Sequence, residues 1–246
     1  MHKLYPQMNV SPLSCSINSE ASPHHIDYID QFFGALISRG LVVLYGSRTC
    51  HVLSELLCIH NLPEGLDGSD SSKIFIDGGN LFDPYYISLS ARSLGLEPEK
   101  TLRNIWVSRA FTSYQMTSLL TEKLPEILDV EGSRLVVISD VAAPYCDPEV
   151  ELFEATKTFN RVTCFLRNLA QKRSLLLVST SILSRSRRKR ILEQYLLGRA
   201  DVALKIIEDK TCLKMMLEKH PSKSPVSADL YFRGGTQLLL EDCMEA

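Results

Sequence analysis

The residues best suited to chemistry lie at the end of an apolar run near the start of the chain. Residues 42–45 read Val-Val-Leu-Tyr, Gly46 follows, and a helical pattern begins almost at once. A phosphate-binding loop has this setting and reads Gly, four residues, Gly-Lys-Ser/Thr, where amides surround phosphate, the lysine neutralises charge and the hydroxyl holds magnesium. Counted from Gly46 without a gap, the second glycine falls on His51, the lysine on Val52 and the hydroxyl on Leu53. The sequence therefore predicts such a loop without its chemistry.

Two residues of the same turn keep a suitable chemical character. Arg48 and Thr49 could contact a phosphate in another register of the loop. ATP binding therefore stays an alternative, with Gly46, Arg48, Thr49 and His51 as the residues of a degenerate nucleotide site.

The densest run of positive charge in the chain lies at residues 184–190. It holds Arg185, Arg187, Arg188, Lys189 and Arg190. Because the net charge of the chain is −2, any affinity for nucleic acid must come from such a local patch. The run predicts salt-dependent, sequence-indifferent DNA binding, with single strands favoured, although no aromatic residue is interleaved. The alternative is a solvated helix start, in which Glu193 pairs with Lys189 and no ligand binds.

Apolar runs and helical stripes alternate along the chain and define the elements that must position these residues. Strands are predicted at residues 41–45, 73–77, 104–111, 134–141 and 174–180, each followed by a helical pattern. Such strands are typical of a mostly parallel sheet with helices on both faces, which makes the fold class α/β. Residues 202–217 alternate in polarity and predict an antiparallel hairpin at the C-terminal side, and residues 228–232 are a candidate last strand.

Aspartate followed by proline predicts two helix starts, because aspartate caps a helix and proline suits its first position. Asp83-Pro84 begins a helix that ends near Gly95, and Asp147-Pro148 begins a long helix that ends near residue 172. A further single helix is predicted at residues 114–128.

The domain organisation follows from composition. Residues 1–24 contain Pro6, Pro12 and Pro23 without a sustained period, which predicts a flexible N-terminal arm, and residues 25–246 are predicted to form one core domain. No apolar run approaches the ~18 residues of a membrane span and no signal-peptide core is present, so a cytoplasmic protein without membrane contacts is expected.

The cysteines predict neither disulfides nor a metal site. The chain has seven cysteines without a Cys-x-x-Cys pair, which fits reduced thiols. Cys50 and Cys58 would lie ~12 Å apart along a helix, too far to share one tetrahedral ion.

A series of ordered short motifs resembles the core of the RecA/RadA recombinases. Residues 76–84 read Ile-Asp-Gly-Gly-Asn-Leu-Phe-Asp-Pro, Gly95-Leu96 follows, and residues 104–111 read Asn-Ile-Trp-Val-Ser-Arg-Ala-Phe, with Gln115 at the next helix start. Archaeal and eukaryotic recombinases carry a similar series. The resemblance implies a RecA-like fold, related to the P-loop NTPases, and a RadA-like paralogue with degenerate nucleotide motifs.

The resemblance also implies where the catalytic groups of an active recombinase would stand, and each position holds another residue. The carboxylate that activates water falls on Gly79, the aspartate that supports magnesium on Ser139, and the glutamine sensor on Ser181. Asp140 comes one place late and, by strand alternation, should point to the other face of the sheet. Phosphoryl transfer depends on positioning and charge stabilisation, so a non-enzyme without catalytic residues or cofactor is expected.

The resemblance finally implies contact surfaces and a function. Recombinase loops after the fourth and fifth strands approach DNA, and the basic run at 184–190 follows the fifth predicted strand. Phe32 and Ala35 match the Phe-x-x-Ala pattern by which recombinase subunits dock on neighbours, although core packing is the preferred interpretation. The expected function is an inactive paralogue in DNA repair or recombination that binds DNA, an active RadA-type recombinase or itself. The alternatives are a weak ATPase, whose metal Asp140 or Asp77 would hold, and a pure protein scaffold.

Overall fold

One sheet runs through the part of the chain that the computed structural model describes, which is residues 39–59, 72–209 and 212–231. Its strands are β1 Gly40–Gly46, β2 Lys73–Asp77, β3 Ile105–Arg109, β4 Leu135–Ser139, β5 Leu176–Ile182, β6 Val202–Glu208, β7 Cys212–Lys219 and β8 Val226–Tyr231. Strands β1, β2, β4 and β5 are apolar and almost wholly buried, as expected for strands covered on both faces.

The strand order is β3-β2-β4-β5-β1-β6-β7-β8. Pairs from β3 to β6 are parallel, whereas β7 pairs antiparallel with both β6 and β8. This confirms the α/β class, the mostly parallel RecA-like sheet and the C-terminal antiparallel hairpin. The carboxyl ends of β1, β2, β4 and β5 meet at one edge, which is where open α/β sheets form their sites.

Helices cover both faces of the sheet. They are α1 Thr49–Ile59, α2 Pro84–Ser93, α3 Pro98–Arg103, α4 Ser113–Ser118, α5 Leu124–Glu131, α6 Leu152–Lys172 and α7 Arg187–Arg199. The apolar sides of α1 and α2 pack with Phe75 and Val137 on one face. Those of α4, α5, α6 and α7 pack with Ile76 and Ile138 on the other. Alternate residues of each strand therefore belong to two separate cores.

The predicted helix at 114–128 is interrupted. A π-helical turn at Leu119–Lys123 joins α4 to α5. Pro125 explains it, because proline lacks an N–H and its ring would clash with the carbonyl of Thr121 in a regular α-helix. A second difference is α3, which begins at Pro98 and was absent from the predicted elements.

The Asp83 cap is confirmed and the Asp147 cap is wrong. Asp83 accepts the amides of Tyr85 and Tyr86 ahead of α2. The Asp147 carboxylate accepts the amide of Glu149 at 2.9 Å, which closes a local turn. The long helix α6 begins only at Leu152, after Glu151. An Asp-Pro pair suits a turn as well as a helix start, and the sequence does not separate the two.

Two expectations concern residues outside the described part of the chain, namely the N-terminal arm and the Phe32 and Ala35 pattern. Within the described residues, no helix combines the length and apolar character that a membrane span requires. Cys50, Cys58, Cys146, Cys164 and Cys212 form no disulfide there.

Candidate nucleotide and nucleic-acid sites

The turn between β1 and α1 is short and closed. The helix begins at Thr49, so only Ser47 and Arg48 separate it from Gly46. A phosphate-binding loop counted from Gly46 without a gap would start the helix near His51, so the turn seen here is two residues shorter than such a loop. In this shorter register, Arg48 and Thr49 stand at the helix start.

Two backbone amides, one in this turn and one just after it, are already bonded. The N–H of Ser47 donates to the carbonyl of Ile206 at 2.8 Å, and the N–H of His51 donates to the carbonyl of Arg48 at 3.0 Å. Gly46 has φ +127°, and a Cβ there would lie 2.0 Å from the carbonyl oxygen of Ile206. A phosphate site needs such amides turned toward the ligand, and here they bond within the fold.

Side chains around the turn add negative charge. The hydroxyl of Thr49 donates to the carboxylate of Glu208 on β6. Arg48 is exposed. The hydroxyl of Thr49 at the helix start thus has a protein partner.

His51 joins three elements at the carboxyl edge of the sheet. Its side chain is buried, its Nδ1 lies 3.0 Å from the hydroxyl of Ser139 at the end of β4, and its Nε2 lies 2.8 Å from the carbonyl oxygen of Leu81. Because a carbonyl only accepts, Nε2 carries the hydrogen, and Ser139 shares the hydrogen bond to Nδ1. By the resemblance, Ser139 takes the place of the aspartate that supports magnesium. The imidazole of His51 therefore bonds the side chain that stands at this magnesium-supporting position.

Glu55 supports His51 from the next turn of α1. Its Oε1 lies 3.4 Å from the Nε2 of His51 and accepts the amide of Asp83 at 2.8 Å. Burial by itself lowers the pKa of His51, because it disfavours the charged ring. The hydrogen bond and charge of Glu55, helped by the Leu81 carbonyl and Asp77, outweigh burial and raise that pKa above its ordinary value of 6.5.

By the resemblance, Gly79 stands at the position of the general base, and a side chain there would have to displace Leu81. A Cβ at Gly79 would lie 2.9 Å from the Cδ1 of Leu81 and 3.1 Å from the Cβ of Asp140. The neighbouring Asp77 accepts the amides of Leu81 and Phe82, each at 3.0 Å, and the Nε of Arg109 at 3.2 Å. Asp77 thus holds the loop after β2 in place and has its oxygens engaged.

Ser139 and Asp140 face opposite sides of the sheet, as predicted. Ser139 bonds His51 on α1, whereas the Oδ2 of Asp140 lies 2.7 Å from the Nζ of Lys189 on α7. Both members of this ion pair are largely buried. Asp140 adopts φ +43°, and its amide donates to the hydroxyl of Thr180 at 2.8 Å.

The sheet, its carboxyl edge and the position of the altered turn agree with the family comparison. The model of the Rad51 family matches residues 26–215, well over half of the chain. The chain belongs to the Rad51 family. Proteins of this family are recombinase-like proteins of DNA recombination and repair, are usually ATPases, bind DNA and oligomerise. The RecA-like part of the expected resemblance is thereby confirmed.

In the basic run of this Rad51-family protein, some cations bond the protein and others are exposed to solvent. Arg188 donates to the carbonyls of Asp147 and Val150, at 2.5 Å and 2.6 Å. Lys189 pairs with Asp140 and not with Glu193. Arg185, Arg187 and Arg190 are exposed, and within the described residues none of them forms an ion pair. Ser186 caps α7 by accepting the amide of Lys189.

Three groups that shape this edge of the sheet were not predicted from the sequence: Glu55, Arg109 and Glu208. Glu55 carries a local signal, because a carboxylate four residues after a histidine in an otherwise apolar helix faces the same side. Glu208 carries none, since it reaches Thr49 from 159 residues away along the chain.

Proposed function

We propose that this Rad51-family protein has no ATPase cycle of its own and acts as an accessory in DNA recombination or repair, binding DNA or assembling with an active recombinase. The observation that carries the proposal is the bridge from His51 to Ser139 and Leu81. It joins the helix start, the end of β4 and the loop after β2, which are the parts that a working family member uses to hold magnesium and water.

Electrostatics support the same conclusion. Catalysis of phosphoryl transfer needs cations and directed donors at the phosphate. The turn here holds one cation, Arg48, and the carboxylate of Glu208 accepts the hydroxyl of Thr49 beside it. Two amides of this segment, those of Ser47 and His51, bond to carbonyls of the protein.

Thermal unfolding of the full chain with millimolar ATP or ADP, with and without magnesium, tests whether this site binds nucleotide. A ligand at 100 times its Kd stabilises the native state by about 2.7 kcal/mol, so real binding would raise the melting temperature clearly. We expect no shift, and we expect a shift for an ATP-hydrolysing Rad51-family protein measured alongside. A magnesium-dependent shift for this chain would contradict the proposal.

The outward arginines support the DNA-binding part. Arg185, Arg187 and Arg190 follow β5 at the carboxyl edge, and the internal contacts of Arg188 and Lys189 fix the start of α7 beneath them. Three exposed guanidinium groups on a fixed helix start suit phosphates of a single strand. Gel filtration with an active family recombinase, with and without single-stranded DNA, tests the assembly part. Separate elution under both conditions would contradict it.

A weak ATPase is the second candidate, because Arg48 stands at the helix start where the lysine of a phosphate-binding loop would be. A phosphate-release assay separates the candidates. Turnover that disappears in Arg48→Ala would favour the enzyme, whereas background rates in both proteins favour the accessory.

A further inference from the structure

A small cleft lies between α4, the π-helical turn and α6, beside the carboxyl edge of the sheet. Its volume is about 190 Å³, and its lining includes Tyr114, Thr117, Glu122, Tyr145 and Glu154. Ligand pockets for drug-sized molecules occupy roughly 300–1,000 Å³. The cleft therefore suits a single long side chain and is too small for a nucleotide.

Two carboxylates give the cleft its charge. Glu122 accepts the hydroxyl of Ser118 at 2.7 Å, and Glu154 accepts the hydroxyl of Tyr114 at 3.3 Å. Within the described residues, no lysine or arginine lies within ion-pair distance of either carboxylate, and the neighbouring Lys123 pairs with Glu126. The hydroxyl partners orient the two carboxylates without neutralising them.

The remaining polar groups of the cleft add no charge. The hydroxyls of Thr117 and Tyr145 bond each other at 2.8 Å, and burial raises the pKa of Tyr145 to about 12, so the phenol stays neutral. The cleft is thus electronegative at neutral pH.

Two exposed aromatic side chains accompany this charge: Tyr114 lines the cleft, and Phe153 lies next to Glu154 in the sequence. Tyr114 is 67% exposed, and Phe153, which precedes Glu154, is 71% exposed. Exposed aromatic residues are enriched at protein interfaces, where tyrosine often anchors the contact, and an aromatic face attracts a cation. A cleft with negative charge and aromatic side chains suits a cationic side chain whose sequence neighbours are apolar.

We propose that this cleft receives the side chain of an arginine or lysine from a partner protein, with apolar neighbours of that residue resting on Tyr114 and Phe153. A DNA phosphate is the wrong occupant, because the two carboxylates repel it. The cleft adjoins the basic surface, since Arg188 binds the carbonyl of Val150, which also lines the cleft. A partner could therefore bind here while DNA binds at the arginines, and the proposal does not depend on the absence of ATPase activity.

Nuclear magnetic resonance of the isotope-labelled full chain tests the proposal with Nα-acetyl-arginine methylamide as the probe. The neutral control is the citrulline analogue, which has the same shape without the charge. We expect shifts of the amides of Tyr114, Thr117, Glu122 and Glu154 with the arginine probe only. Glu122→Gln/Glu154→Gln keeps both hydroxyl bonds and should weaken the apparent Kd about tenfold, as expected for two exposed ion pairs.

The matched control is Glu97→Gln/Glu99→Gln, which removes the same charge from exposed positions before and in α3 on the opposite face of the sheet. This control should bind the probe as the native chain does. Shifts that are absent, that appear equally with citrulline, or that survive in Glu122→Gln/Glu154→Gln would each overturn the proposal.

Discussion

Two segments at the same edge of the sheet, one after β1 and one after β5, divide their polar residues between protein partners and solvent. In the β1–α1 turn, both ring nitrogens of His51 and the hydroxyl of Thr49 have protein partners. In the β5–α7 turn, Arg188 and Lys189 point inward and bond the protein, whereas Arg190 remains exposed. A buried polar group stabilises the fold only while its partners are present, and an exposed one can be removed at little cost. The difference separates residues that maintain the structure from residues available to a ligand.

Asp140 connects the loop after β2 with the basic run. Its Cβ lies next to the position of Gly79 in the altered site, and its carboxylate pairs with Lys189 of the basic run. One ion pair therefore belongs to both regions, and its removal tests whether α7 is anchored through the altered site.

The largest effect is expected from Lys189→Met. Removing one partner of a buried ion pair leaves the Asp140 carboxylate uncompensated, which costs about 3–5 kcal/mol of unfolding free energy. Urea unfolding measures the loss, and Asp140→Asn/Lys189→Met should recover part of it because no charge is left buried. Arg190→Ala is the matched control and should change stability by less than about 0.5 kcal/mol. Equal effects of the two single substitutions would remove the distinction between inward and outward cations.

His51→Ala should follow in size. It leaves Ser139, the Leu81 carbonyl and Glu55 without a common partner and opens a small cavity, so a loss of roughly 2–4 kcal/mol is expected. Arg48 lies three positions before His51 but is exposed. Arg48→Ala should therefore be nearly neutral in urea unfolding. Stabilisation by His51→Ala together with new magnesium-dependent ATP binding would show that the imidazole blocks a site that is otherwise intact.

The sequence predicts the alternating elements and the loss of each catalytic group, because apolar runs and missing side chains are local properties. It does not predict the two-residue turn before α1, because the length of that turn depends on where the helix begins. The sequence also does not predict which cations of the basic run bond the protein and which are exposed. The partners of Arg188 and Lys189 come from residues about 40 to 50 positions earlier. Long-range pairing of this kind depends on the sheet order and not on residue spacing.

Replacing Arg185, Arg187 and Arg190 by alanine should weaken single-stranded DNA binding without affecting the fold. Each lost phosphate contact lowers the slope of log affinity against log salt by about 0.7, so three contacts lower it by about 2. Fluorescence anisotropy over a salt series measures the slope. The control replaces the exposed cations Arg92, Lys157 and Arg161 by alanine and removes the same net charge. A similar loss in both variants would mean that bulk charge and not this surface binds DNA.

The smallest effect is a pH dependence that comes from His51 alone. Because its pKa in the folded state is raised above 6.5, the protonated ring stabilises the fold fully below the unfolded pKa. That contribution is lost as pH rises through the folded pKa. The asparagine of His51→Asn does not titrate. The difference in unfolding free energy between the native chain and this variant should therefore be larger at about pH 5.5 than at about pH 8.5. Other histidines cancel in this difference, and urea unfolding at each pH measures it. A difference that grows with pH would mean that the neutral ring is the form the fold prefers, in which case burial outweighs Glu55 and the bridge to Ser139 and Leu81 is held by hydrogen bonds alone.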